Sequence, residues 1–213
     1  MRETGSTMGL LFVFDMDDVL YDYDWRIRMT GLTELTGLDF PELRRRWWHD
    51  DGEWAAEAGR WPDGESYLAA WREAVGIDVS PDDWLANRGS AMSPRPASLA
   101  AVARASELGR VTLLTNNGPL VGENLATLAP ELVPLFGAEH LRASSRYGAR
   151  KPDPRVYEGV LAAYDEPAEH VFFADDLPVN IEGARSVGIT AHLFRDAPGM
   201  LAAIEDFAAQ RSA

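Results

Sequence analysis

The chain is punctuated by short runs that are apolar at almost every position. Residues 9–14 (Gly-Leu-Leu-Phe-Val-Phe) form the first, and 111–115 and 171–174 share its character; 190–194 reads as a fourth. A strand buried on both faces of a parallel sheet has no solvent side, so these runs predict strands of that kind. Between them, apolar residues recur at helical spacing. Residues 97–108 predict a helix ending at Gly109, and Asp153-Pro154 opens another with Val156, Val160 and Ala163 on one face. A third covers 180–187 and stops at Gly188, a left-handed cap. Strands alternating with helices predict βαβ units, hence an α/β fold with a doubly wound parallel sheet.

Residues 24–93 break this rhythm: they show helical periodicity and no convincing strand. Trp25, Met29 and Leu32 fall at i, i+4 and i+7, and Leu68, Trp71 and Val75 share a face further on. Asp39-x-x-Glu42 has the form of a capping box, and Ser80-Pro81-Asp82-Asp83 reads as the start of one more helix. All seven tryptophans (Trp25, Trp47, Trp48, Trp54, Trp61, Trp71 and Trp84) lie in this segment. The expectation is a small all-helical unit over 24–93, inserted in a core made of 8–23 and 94–213, with Pro94-Arg95-Pro96 marking the return. A length of 213 residues suits one domain with such an insertion. Neither an internal repeat nor a low-complexity tract is visible.

Composition narrows the function. Hydrophobic residues at 46% and charged residues at 25% are ordinary for a globular protein. The net charge of −14 argues against binding nucleic acid, whose affinity comes largely from Lys and Arg on phosphates. An acidic protein that takes a phosphate ester must supply positive charge locally, through a metal and a placed lysine. Without cysteine there are no disulfides, thiolate metal sites or cysteine nucleophiles. The polar start, residues 1–7, does not read as a signal peptide, and no stretch approaches the ~20 apolar residues that span a bilayer. A cytoplasmic location without membrane partners is expected; oligomeric state is not legible.

In an open α/β sheet, ligands gather at the carboxyl ends of the strands. Asp15-Met-Asp17-Asp18 follows the first run, Thr115-Asn116-Asn117-Gly118 the second, and Asp175-Asp176 the third, while Lys151 stands in the loop Gly148-Ala-Arg-Lys-Pro152. A carboxylate attacking phosphorus splits hydrolysis into two displacements. Carboxylate and phosphate repel, and a divalent cation such as Mg²⁺ bridges them with one or two carboxylates. A lysine and a hydroxyl steady the equatorial oxygens, and a second carboxylate handles protons.

These motifs strongly resemble the haloacid dehalogenase superfamily in its phosphatase branches, over nearly the whole chain. Phe12-Val-Phe-Asp-Met-Asp-Asp-Val-Leu20, Leu114-Thr-Asn-Asn-Gly118, Arg150-Lys-Pro-Asp-Pro-Arg-Val-Tyr157 and the run from Phe172 to Ala184 match its four motifs in order. The last two look most like sugar-phosphate phosphatases, including glucose-1-phosphate phosphatases. The resemblance implies Asp15 as nucleophile and Asp17 as general acid/base. It implies Thr115, Asn116 and Lys151 as phosphate-binding residues. Its Mg²⁺ site comprises Asp15, Asp17 through its carbonyl, Asp175 and Asp176, with Asp176 the first choice for direct ligation. The helical insert would be the cap that selects a small phosphorylated metabolite. Asp18 departs from the family pattern, standing where glycine is common and adding negative charge beside the metal.

Simpler roles are expected for other residues. Most tryptophans build the insert's core, with one or two of Trp47, Trp48, Trp54 and Trp61 in the substrate pocket. His49 is structural. Arg44-Arg45-Arg46 is a solvated face from which one arginine reaches an anionic substrate. Asn180 divides evenly between a surface role and support of the metal site. Three alternatives compete with this function. A phosphomutase of the β-phosphoglucomutase type shares all four motifs, whereas a dehalogenase needs neither Asp17 nor the Asp175-Asp176 pair. A receiver-like binding module places its lysine and acidic pair in a different order.

Overall fold

The structure, a computed structural model, describes residues 9–211. The polar start and Met8, the first residue of the expected core, lie outside the described residues. Strand β1 (Leu11–Phe14) leads through a tight turn to β2 (Tyr21–Tyr23). Five helices follow: α1 (Trp25–Thr36), α2 (Phe40–Arg46), α3 (Glu53–Glu57), α4 (Gly64–Val75) and α5 (Pro81–Ser90). Strand β3 (Met92–Pro94) then pairs antiparallel with β2. Beyond it come α6 (Pro96–Leu108), β4 (Arg110–Leu113) and three short helices, α7 (Pro119–Glu123), α8 (Leu125–Leu128) and α9 (Val133–Phe136). The chain ends with α10 (Pro154–Tyr164), β5 (Val171–Asp175), α11 (Pro178–Ser186), β6 (Thr190–Leu193) and α12 (Ala197–Ala209).

The main sheet has the order β4-β1-β5-β6 and every pairing is parallel. Phe12 stands between Val111 and Phe172, and Phe14 between Leu113 and Ala174. Side chains alternate between the two faces of a strand, and here both faces are covered. Phe12, Phe14 and Phe172 pack with Phe207 and Ala105 on one side, while Leu11, Val13 and Phe173 pack with Val156, Val160 and Ile181 on the other. That is why each β1 residue is apolar and buried. The doubly wound α/β sheet expected from the sequence is present.

Helices α1 to α5 build a second hydrophobic core, which Leu120 of α7 joins. Leu32, Leu43, Trp47, Trp71, Val75 and Trp84 are fully or almost fully buried in it, and the Trp71 and Trp84 rings meet edge-on at 4.6 Å. Caps define these helices: Asp63 and Ser66 close a reciprocal capping box on α4, and Ser80 accepts from the Asp83 N–H on α5. At α2 only half of the expected box forms. Asp39 accepts from the Glu42 N–H, but the Glu42 carboxylate goes to Arg45 and Arg46.

Several local expectations are corrected. Strand β4 ends at Leu113, not Thr115; Thr115 sits beyond it in an isolated bridge to Ala143. The β2–β3 ribbon has no signature in the sequence, because three-residue strands carry too little alternation to register. Met29 and Leu32 are buried, but Trp25 at the end of that stripe is 44% exposed. Among the described residues, no helix is long and apolar enough to cross a membrane.

Candidate active site

The turn after β1 begins the site. The Met16 carbonyl accepts from both the Leu20 and Tyr21 N–H groups, curling the chain back within five residues. Asp18 occupies this curl with φ +59°. Glycine adopts that left-handed region freely, while aspartate tolerates it better than most residues with a Cβ. Its carboxylate is not among the three that converge below, although its charge is one of those that raise Asp176. Arg95 lies 3.7 Å from the Asp18 carboxylate and also grips Asp22 at 2.7 Å.

Asp15, Asp175 and Asp176 converge at the sheet edge, each offering an oxygen within 4.8 Å of the others. Lys151 stands between two of them. Its ammonium is 2.7 Å from both Asp15 Oδ1 and Asp175 Oδ2, and its side chain is almost fully buried. Asp175 is saturated: Asn180 donates to both its oxygens and the Leu177 N–H to one. Asn180 is thereby a buried support of this cluster. Asp15 Oδ1 also accepts from the Met16 N–H, whereas among the described residues no group donates to Asp15 Oδ2 and only its own backbone N–H meets the Asp176 carboxylate.

Electrostatics follow from that crowding. Burial pushes the Asp15 carboxyl well above its usual range, against the pull of Lys151. Asp176 is pushed up to about 6, by burial first and then by Asp175. Burial works the same way on Asp175, but Lys151, Leu177 and Asn180 outweigh it and hold its carboxyl below the ordinary value. Lys151 is held above its usual value, since Asp15 and Asp175 together outweigh the cost of burying the ammonium. Three crowded carboxylates with one cation between them favour a further positive charge. Hard oxygen donors of this kind fit Mg²⁺.

Thr115 is buried, and its hydroxyl accepts from Asn117 at 2.8 Å. The Asn116 amide is committed to the Lys151 backbone, donating to its carbonyl and accepting from its N–H, both at 2.9 Å. It therefore fixes the lysine loop. Asp17 lies apart from the acidic cluster, and both its carboxylate oxygens lie 2.7 Å from Nη2 of Arg88. Sequence reasoning missed Arg88. It comes from α5, is fully buried and stacks on Tyr23, yet is 71 positions from its partner and has no motif around it.

Between these core residues and the inserted helices lies a cavity of about 320 Å³. Asp17 and Asn116 border it on the core side, and Trp25, Trp48 and Trp54 on the other. Trp47 is instead buried, with its Nε1 donating to Glu53. Arg44 reaches the cavity, whereas Arg45 and Arg46 hold Glu42. His49 bonds only to nearby backbone, at Arg46 and Asp51.

A parallel α/β sheet with carboxylates and a buried lysine at its carboxyl edge defines a class of hydrolytic enzyme cores, and the comparisons are specific within it. Residues 10–188 match the family model of haloacid dehalogenase-like hydrolases, and the chain belongs to that family. Phosphatase MT3486 of Mycobacterium tuberculosis (strain CDC 1551 / Oshkosh) is 31% identical over 193 residues, 85% of each chain. Among solved structures, the HAD family enzyme bt-2542 of Bacteroides thetaiotaomicron, in complex with magnesium and inorganic phosphate, superposes with a TM-score of 0.72 at 20% identity. The match covers 88% of this chain and 94% of that one. A 2-haloacid dehalogenase from Pseudomonas syringae pv. Tomato DC3000 matches at a TM-score of 0.60 and 18% identity, over 86% and 85% of the two chains. At such identities the structural matches speak for the fold.

Proposed function

We propose that this hydrolase acts on phosphoric monoesters, as a Mg²⁺-dependent phosphatase of a small phosphorylated metabolite working through an aspartyl phosphate. The observation that carries the reading is the bridge of Lys151 between Asp15 and Asp175, with Asp176 beside them. The 31% identity to a named phosphatase supports it. Sugar phosphates are the substrate class that the motif resemblance implies. Residues 24–93 act as the cap, and the two core segments as the catalytic unit.

Asp15 attacks phosphorus through Oδ2, the oxygen that no hydrogen bond occupies. Lys151 and the Thr115 hydroxyl hold the phosphoryl oxygens where charge accumulates, and Asn116 keeps Lys151 in place. Asp175, Asp176, Asp15 and the Asp17 carbonyl would hold Mg²⁺, which when bound neutralises charge on the phosphoryl group. Asp176 is the best direct ligand, because its carboxylate meets only its own backbone N–H while Asp175 is saturated. Asp17 gives a proton to the leaving oxygen and later takes one from water. Its carboxylate is held by Arg88 in this structure, so reaching the leaving oxygen requires it to leave that partner.

A dehalogenase would use Asp15 without this acidic pair, and no observation favours it. A mutase differs from a phosphatase only in the fate of the phosphoryl group. The test is phosphate release by purified protein from a panel of phosphate esters with Mg²⁺, repeated with Asp15→Asn. Release of inorganic phosphate without an isomerised ester is expected. The variant should lose far more than the 10²–10⁴-fold that removing an acid/base group costs. A folded Asp15→Asn within tenfold of wild type would reject the nucleophile.

A further inference from the structure

Two buried charges in the cavity are left incompletely matched by folding. Arg28 of α1 and Glu53, the first residue of α3, both line it, and each is at least nine-tenths buried. Arg28 Nη2 lies 4.0 Å from Glu53 Oε1, beyond hydrogen-bond reach, and has no hydrogen-bond partner. Both groups are nonetheless fixed. Glu53 Oε2 accepts from the Trp47 Nε1 and the Tyr67 hydroxyl, each at 2.7 Å. The Arg28 guanidinium lies against the rings of Trp48 and Trp84, and its Nη1 donates to the Tyr23 hydroxyl at 3.3 Å. A purely structural pair would close to direct contact, because separation leaves the desolvation of both charges uncompensated.

We propose that Arg28 and Glu53 are the specificity-determining pair for the leaving group, reading a hydroxyl placed between a guanidinium that donates and a carboxylate that accepts. This rests on the phosphatase reading above. A hydroxyl donates and accepts at once, and so satisfies both walls. A carboxylate on the leaving group would pair with Arg28 but meet the like charge of Glu53, and an ammonium would do the reverse, so neither satisfies both walls; Arg44 and Glu57, which also line the cavity, balance each other in the same way. Trp48 and Trp54, in the same cavity, supply apolar surface for the carbon face of such a molecule. Asp17 and Asn116 place the reacting end on the core side. The preferred substrate is thus the phosphate ester of a polyhydroxylated alcohol, a sugar or polyol.

The test compares kcat/KM within matched esters: hexose 6-phosphate against cyclohexylmethyl phosphate, with phosphoglycolate and phosphoethanolamine as carboxylated and ammonium-bearing probes. The wild type should prefer the hydroxylated ester by at least about 100-fold, since a site built to bond a hydroxyl rejects the analogue without it. Glu53→Gln keeps a carbonyl for the Trp47 and Tyr67 donors and turns the cavity-facing acceptor into a donor. It should lower that ratio about 10–100-fold, the worth of a hydrogen bond to a charged group, and raise phosphoglycolate relative to the hexose ester. Arg28→Lys keeps the charge but loses the planar fork, and should lower the ratio too. Ratios within one variant cancel any uniform loss from weakened folding, and the wild-type preferences decide the class even if a variant fails to fold. A wild type preferring the carboxylated or ammonium-bearing ester overturns the proposal, as do folded variants that scale all esters by one factor. In those cases p-nitrophenyl phosphate is still hydrolysed in an Asp15-dependent way. Its failure to react would defeat the phosphatase reading itself, and the proposal with it.

Discussion

Asp15 and Asp17 are two residues apart and look alike in the sequence, yet their surroundings give them opposite energetic roles. Asp15 sits among Asp175, Asp176 and Lys151, where burial and neighbouring carboxylates oppose its charge. Asp17 is the counter-charge of Arg88, whose guanidinium has no exposed surface and whose Nε and Nη1 find no partner. Breaking a pair with a buried member is costly because it strands a desolvated charge. Asp17→Asn is therefore expected to destabilise the protein by roughly 3 kcal/mol, in addition to impairing turnover. Asp15→Asn, which leaves Lys151 its partner Asp175, should cost little in metal-free protein. Urea unfolding of the two variants checks this, and equal stabilities would refute the role given to Arg88. The Asp15 and Asp17 motif was legible in the sequence because its residues lie within one short stretch at the end of a strand. Arg88 was not, since only the fold brings α5 to the end of β1.

Among the elements, α3 shows how the insert is seated on the core. Glu57, its last residue, meets Arg150 at 2.5 Å, one position before Lys151, and its carbonyl accepts from the Ser144 hydroxyl at 2.7 Å. Burial pushes the Glu57 carboxyl from 4.5 up to about 7, outweighing Arg150. Between those values the folded chain binds a proton there that the unfolded chain does not. The contribution of Glu57 to stability is thus complete below pH 4.5 and is lost as pH rises through about 7. The expected loss is at most about 3 kcal/mol. Comparing wild type with Glu57→Gln in urea at pH 5 and pH 8 measures it. The wild type should lose stability relative to the variant on going to pH 8, and a pH-independent difference would rule the effect out. Periodicity showed that α3 belongs to a helical segment; the docking of Glu57 on Arg150 lies 93 positions away along the chain.

At the scale of the whole molecule, a net charge of −14 has to coexist with a phosphate ester. The fold resolves this locally. Lys151 is buried at the sheet edge beside the three converging carboxylates, and Arg28 and Arg44 face the cavity. A cation that binds only the folded protein stabilises it by mass action, about 2.7 kcal/mol at a hundredfold excess over Kd. Mg²⁺ should therefore raise Tm by several degrees, and chelation should reverse the shift. Asp176→Ala should move the response to higher Mg²⁺, with activity following. A Tm indifferent to Mg²⁺ in the wild type would reject the site.

The sequence by itself determined the architecture and placed the candidate reacting groups at the strand ends. Both are written locally: strands buried on two faces must be apolar throughout, and each motif is a few residues attached to a strand end. It also marked residues 24–93 as helical, through caps and periodicity. Tertiary structure alone decided which tryptophans are core and which line the cavity, that Arg88 holds Asp17, and that Arg28 and Glu53 stand apart across a gap. Those relations join residues far apart in the chain. Their strength depends on desolvation and distance, and neither exists until the helices pack against the sheet.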